Sequence, residues 1–156
     1  MPSEIEHKYL VHQDAWQPTS AGVPYRQGYL SAAKEHVVRV RIAGDSAYLT
    51  VKGSTTGLTR LEFEYPIPVA DAAVMLERLC ERPLIEKTRY REKFEGHLWE
   101  IDEFHGDNAG LVIAEIEVAS ETRQYAVPFW AAAEVSGDPR YFNANLRLNP
   151  YKNWEA

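Results

Sequence analysis

The feature that most limits what this chain can fold into is a period of two among its charged residues. Glu4, Glu6 and Lys8; Arg39 and Arg41; Lys52; Glu62 and Glu64; Lys87, Arg89 and Arg91; Glu100 and Asp102; and Glu115 and Glu117 keep this spacing across seven segments. Side chains alternate between the two faces of an extended strand, so residues two apart share a face. The intervening positions are mostly apolar or aromatic: Ile5, Tyr9, Val38, Val40, Ile42, Val51, Leu61, Phe63, Tyr65, Tyr90, Ile101, Ile116 and Val118. One face of the predicted sheet is therefore ionic and the other apolar. Alternation of this kind marks eight predicted strands, at 3–11, 25–31, 36–43, 47–53, 58–67, 85–95, 97–104 and 111–119. Ala43-Gly44-Asp45-Ser46 and Glu95-Gly96-His97 carry hairpin chemistry, so neighbouring strands are expected to run antiparallel.

Between residues 69 and 82 the period changes. Ala72, Met75, Leu76 and Leu79 fall at i, i+3, i+4 and i+7 behind Asp71 as a candidate cap, which predicts an amphipathic helix. From 121 onward short helical pieces are expected, one beginning near Pro128 and another capped by Asp138 with Pro139 in its first position and stopped by Asn149-Pro150. Residues 12–24 read as a loop or a short turn. With 156 residues, 45% of them apolar, and no internal repeat or linker, the chain is expected to form one domain over 1–156.

Composition narrows the function classes. A formal charge of −6 argues against a nucleic-acid binder, which normally carries a basic surface. The single cysteine, Cys80, permits neither an intramolecular disulfide nor a cysteine-rich zinc site, and points to a reducing, cytoplasmic setting. The N-terminal MPSEIEHK lacks the features of a signal peptide, and no apolar run approaches membrane-spanning length. No phosphate-binding glycine loop, nucleophile elbow or dinucleotide fingerprint is present. The five histidines lack metal-ligand spacing, and Cys80, on the predicted helix, reads as an inert buried thiol. Trp99, Trp130 and Trp154 read as packing residues rather than base-stacking platforms, with the 151–154 tail folded back or free.

Two arrangements accommodate the ionic face. In the plainer one, an open antiparallel sheet lays its apolar face on a helix layer and exposes the charges to water. In the other, eight strands close with the ionic face inward. Unpartnered charges are too costly to bury in a dry core, so that interior must hold water, ions or a charged ligand. The uniformity of the charged positions, in blocks of one sign, favours the second. Basic blocks suit an oligoanion, and carboxylate pairs suit a hard divalent cation that bridges to phosphate oxygens.

Glu4-Ile5-Glu6-His7-Lys8 resembles the ExExK signature at the start of the CYTH superfamily, the triphosphate tunnel metalloenzymes. Arg39-Val40-Arg41, Lys52, Glu62-Phe63-Glu64, Lys87-Thr88-Arg89, Glu100-Ile101-Asp102 and Glu115-Ile116-Glu117 follow in that family's order. The run from Glu134 to Asn143 is similar to the tail of its short bacterial members. The resemblance implies an α+β fold, an eight-stranded antiparallel closed β-barrel forming a tunnel, with helices packed outside. It implies Glu4, Glu6, Glu115 and Glu117 as ligands of Mg²⁺ or Mn²⁺, with two ions, and Lys8, Arg39, Arg41, Lys52, Lys87 and Arg89 as the phosphate-binding catalytic groups. Glu62, Glu64, Glu100 and Asp102 are inferred to line and support the tunnel, with Arg91 at its mouth or outside the motif, and Glu4 or Glu6 is a candidate base. The expected activity is divalent-metal-dependent hydrolysis of a triphosphate, inorganic tripolyphosphate above others. A class IV adenylyl cyclase-like lyase and a non-catalytic polyphosphate- or nucleotide-binding module are the alternatives. The expected partner is a triphosphate-containing small molecule, with no nucleic acid and no membrane, and a homodimer is the expected assembly.

Overall fold

Eight of the alternating segments pair side by side until the last meets the first. The computed structural model describes residues 2–154. Its strands are β1 (Ser3–Val11), β2 (Val23–Ala33), β3 (His36–Ala43), β4 (Ser46–Thr56), β5 (Thr59–Ile67), β6 (Ile85–Phe94), β7 (His97–Phe104) and β8 (Val112–Glu117). The order β5-β4-β3-β2-β6-β7-β8-β1 is antiparallel throughout, and β1 also pairs with β5 to close a ring. The closing seam is short: Ser3, Glu4 and Ile5 face Leu61, Arg60 and Thr59. Farther along, the same edge of β1 is taken by a ninth strand, β9 (Ala131–Glu134), set against Tyr9 and Val11. Shared in this way, the edge of β1 keeps no long unpaired row of amides and carbonyls.

Register carries the charged positions round the ring in phase. Lys8 and Glu100 both lie opposite Glu115, Arg89 opposite Asp102, Lys52 opposite Glu62, and Thr50 opposite both Arg39 and Glu64. Directly opposed residues share a face, so these side chains converge on the interior. The apolar positions face outward, and two coverings keep them from water. On one side α1 (Val69–Arg78) presses Ala72 and Leu76 onto Val40 and Ala47. On the other, loops supply Trp16, Tyr125 and Trp130, which pack on Tyr9, Trp99, Ile101, Ala114 and Ile116. Trp99 meets Tyr9 and Trp130 edge-on at 5.5 and 5.6 Å, an arrangement that aromatic quadrupoles favour.

One end of the ring is closed. There the inward positions change from ionic to apolar, with Leu10, Ile85, Phe104 and Ile113 continuing the same face, and Tyr141, Leu146, Tyr151 and Trp154 from the C-terminal segment pack on them. The Tyr151–Trp154 tail therefore folds back. No helix among the described residues is long and apolar enough to cross a membrane.

Several local expectations need correction. The helix expected near Pro128 is instead the β9 strand; pairing with β1 outweighs the helix propensity of its alanines. Asp71 is not a cap: Pro68 holds the N-cap position and Asp71 sits in the first turn, where its charge suits the helix dipole. The helix stops at Arg78 rather than continuing to 82, consistent with the bias against helical backbone just before Pro83. Helices cover only part of the outer face, loops doing the rest. Behind Asp138, which caps as expected by accepting from the Arg140 amide, the last helix is broken into a 3₁₀ turn, Pro139–Tyr141, and a short α-helix, α2 (Asn143–Leu146), ahead of Asn149-Pro150.

Gly28 marks a close approach of the outer covering. A Cβ there would lie 2.8 Å from the Cys80 Cβ and 2.7 Å from Leu84 Cδ2. Gly28→Ala is expected to cost about 1–3 kcal/mol through overpacking, measured by urea unfolding.

Candidate active site

The ring encloses a cavity of about 650 Å³, walled by Glu4, Glu6, Lys8, Arg39, Arg41, Lys52, Glu62, Glu64, Lys87, Arg89, Arg91, Glu100, Glu115 and Glu117. Of the residues singled out from the sequence, Asp102 alone does not line it. Arg91 lies at its edge, half exposed, with its Nε 3.2 Å from Glu100.

Asp102 stands behind the wall and holds two of the cations. Fully buried, it accepts from Lys87 Nζ at 2.8 Å and from Arg89 through Nε at 2.7 Å and Nη2 at 2.8 Å. Burial alone would raise its pKa, but Arg89 and Lys87 hold the carboxyl well below the usual range. Lys87, itself only 2% exposed, is pushed down to about 8 because burial outweighs its share of Asp102. Arg89 also reaches Glu100 at 3.3 Å and Glu115 at 3.6 Å.

Compensation thins out around the rest of the wall. Lys52 bridges Glu4 at 2.8 Å and Glu62 at 3.0 Å, and Lys8 lies 3.7 Å from Glu115. Burial opposes the ionisation of Glu115, yet Lys8 and Arg89 bring it down to about 2. Arg39 and Arg41 share Glu64, at 3.7 and 3.5 Å, and Thr50 donates to that same carboxylate at 2.9 Å. The Nε atoms of Arg39 and Arg41 are buried without a hydrogen-bond partner among the described residues. Glu6 and Glu117, directly opposed on β1 and β8, have no basic partner within ion-pair distance among those residues. Burial, followed by the charge of Glu115, pushes Glu6 up to about 8; burial and the nearby Glu4, Glu62 and Glu100 raise Glu117.

The arrangement thus offers buried cations with spare N–H groups and, across from them, carboxylates in need of a cation. The donors are oxygens only, as hard divalent ions prefer. Among the described residues no three such groups form a ready-made cage. That suits Mg²⁺, which binds through one or two carboxylates together with waters and substrate phosphates.

Several lining or supporting groups lay outside the sequence reading. Lys34 and Arg60 line the cavity, and Arg60, opposite Glu4, could have been found from the parity of Glu62 and Glu64. Tyr25, Gln27 and Tyr29 are also in phase with the charged face but are neutral, and so escaped a pattern defined by charge. Asn143, whose Oδ1 accepts from Lys87 at 3.0 Å and from Gln27 at 3.1 Å, comes from the C-terminal segment and left no periodic signal. Outside the cavity, burial raises the Cys80 thiol, as an inert role requires.

Removing Asp102 leaves two buried cations short of charge. Asp102→Asn is expected to lower unfolding free energy by about 3 kcal/mol or more at neutral pH, measured by denaturant titration. Because the Asp102 pKa is depressed in the folded state, its contribution is complete above the unfolded value of about 4 and fades as pH falls below it. The gap between wild type and variant should therefore narrow in acid.

The family model of the CYTH domain matches residues 2–144. An inorganic triphosphatase of Acetivibrio thermocellus is 55% identical over 155 residues, covering 99% of both chains. One from Nitrosomonas europaea is 38% identical over 153 residues, covering 94% of this chain and 98% of the relative. Among solved structures, the inorganic triphosphatase NE1496 superposes with a TM-score of 0.67 at 35% identity, covering 95% of this chain and 96% of that one. A putative adenylate cyclase from Bacillus halodurans shares the fold alone, with a TM-score of 0.61 at 15% identity over 78% of this chain and 84% of its own. A family pattern running through nearly every strand of the ring, and relatives aligned almost end to end, establish that this chain belongs to the CYTH domain family.

Proposed function

We propose that this protein, acting as a single domain, hydrolyses inorganic triphosphate in the ionic cavity, with a divalent cation as cofactor. The carrying observation is the pairing, inside one cavity, of buried cations that keep N–H groups unpartnered with carboxylates that lack a basic partner among the described residues. The names of the 55% and 38% identical relatives support the substrate class.

A triphosphate carries about four to five negative charges near neutral pH, so recognition is chiefly a matter of charge. In this reading Arg39, Arg41, Lys87 and Arg89 bind phosphate oxygens from one wall, and Lys8 and Lys52 bind from the strands nearest the carboxylates. Charge-assisted hydrogen bonds of this kind strengthen as charge grows on the transferring group, so they lower the barrier as well as hold the substrate. Asp102, Glu100 and Glu64 keep the guanidinium and ammonium groups aimed. Glu6 and Glu117, with Glu4 and Glu115 beside them, would hold Mg²⁺ or Mn²⁺; such an ion, when bound, neutralises phosphate charge and makes a coordinated water more acidic. Water attacks the terminal phosphorus, the bridging P–O bond breaks, and orthophosphate and diphosphate leave.

Incubating the protein with tripolyphosphate, ATP or thiamine triphosphate, each with Mg²⁺, Mn²⁺ or a chelator, tests the reading. Orthophosphate release from tripolyphosphate that chelator abolishes is the expected result. Diphosphate with cyclic AMP would identify a lyase, and binding without product a non-catalytic module. Glu4→Gln and Glu117→Gln should abolish metal-dependent turnover, whereas Glu103→Gln, on the outward parity, should leave it near wild type; equal losses would refute the assignment of faces. Arg39→Ala should slow turnover by about a hundredfold, read as initial rates at saturating substrate.

A further inference from the structure

Tyr25 lies on the inner face of β2, opposite Lys87 in the β6 ladder, and is only 3% exposed. It does not line the cavity; it lies beneath the groups that do. The Arg89 Cζ is 4.9 Å and the Arg41 Cζ 5.0 Å from its ring centroid, and Lys87 Nζ is at 6.0 Å. Its hydroxyl accepts from Arg91 Nη2 at 3.3 Å. Four cations from β3 and β6 therefore converge on one aromatic side chain.

Carboxylates leave part of this cluster uncovered. Arg89 has Asp102, Glu100 and Glu115, but among the described residues Arg41 has only Glu64 at 3.5 Å, shared with Arg39 and Thr50. Burial, with Arg39 and Arg89 close by, lowers the Arg41 pKa to about 10. A ring face attracts cations through its quadrupole and occupies none of their N–H donors. A further carboxylate in that place would neutralise the guanidiniums and compete with phosphate for them. An aliphatic side chain would fill the space without holding them.

We propose that Tyr25 is a positioning residue for substrate binding, its ring the platform that holds Arg41 and Arg89, with Lys87 beside them, so that their free donors meet the phosphate oxygens of a triphosphate. This rests on the triphosphatase reading for its substrate, and on the ring geometry for everything else.

The test compares Tyr25→Phe with Tyr25→pentafluorophenylalanine, which keeps the shape of the ring but removes the negative potential of its face. Two quantities are read: KM for tripolyphosphate, and the melting temperature without added anion. Relative to Tyr25→Phe, the fluorinated ring is expected to raise KM about tenfold and to lower the melting temperature by several degrees, since the cations then repel one another over an unattractive face. Equal KM values overturn the proposal whatever the melting temperatures, because the ring would then be a filler. If no form of the protein hydrolyses tripolyphosphate, the triphosphatase reading fails. The melting comparison then decides the platform alone, and equal temperatures refute it.

Discussion

Everything in this structure depends on how charge is compensated inside a ring of strands. Ionised side chains cannot be enclosed at tolerable cost unless partners or water meet them, and here the partners come from the neighbouring strands. Compensation is strongest around Asp102, where one carboxylate takes both Lys87 and Arg89 with full burial. It weakens at Glu64, divided between Arg39 and Arg41, and fails, among the described residues, at Glu6 and Glu117. In the proposed function the unfinished part of that compensation is what the ligands would complete. Cations with spare donors call for an anion, and carboxylates held above their usual pKa call for a cation. In the proposed function two ligands of opposite sign would answer both at once.

Turning the ionic face inward forces the hydrophobic core outward. Most β-sheets put hydrocarbon in the middle and charge in water; here α1 and the aromatic loops wrap the outside of the strands in separate apolar patches. The wet interior ends where Leu10, Ile85, Phe104 and Ile113 take over the inward positions and the C-terminal segment closes on them. That segment does more than close the end: Asn143 reaches back to Lys87 and Gln27, which ties the plug to the wall of the site. Architecture and site are thus joined through the same few residues.

Much of this was legible in the chain. Period-two alternation located all eight long strands, the parity of Glu4, Arg39, Lys87 and Glu117 assigned them to one face, and the helix over Ala72 and Leu76 followed from its spacing. The parts that escaped have physical reasons. The Ala131–Glu134 segment is four residues of good helix former, and becomes a strand because one stretch of the β1 edge is left open to it. Tyr25 and Gln27 carry no charge and so did not enter a pattern built on charge. Asn143 is brought to Lys87 by a tail whose path depends on packing between aromatic rings.

By itself the sequence determined which residues share a face, because the alternation of side chains along a strand is a local property of the backbone. It also determined that the shared face was too rich in charge for a dry interior. Only the tertiary structure decided which charges cancel and which stay available. The strands that bring Glu6 to Glu117, or Tyr25 to Lys87, are far apart in the chain, and their relative register is set by ring closure and by packing of the outer face. An electrostatic partner is chosen over a few ångströms, and no pattern along the chain reports distances across a ring.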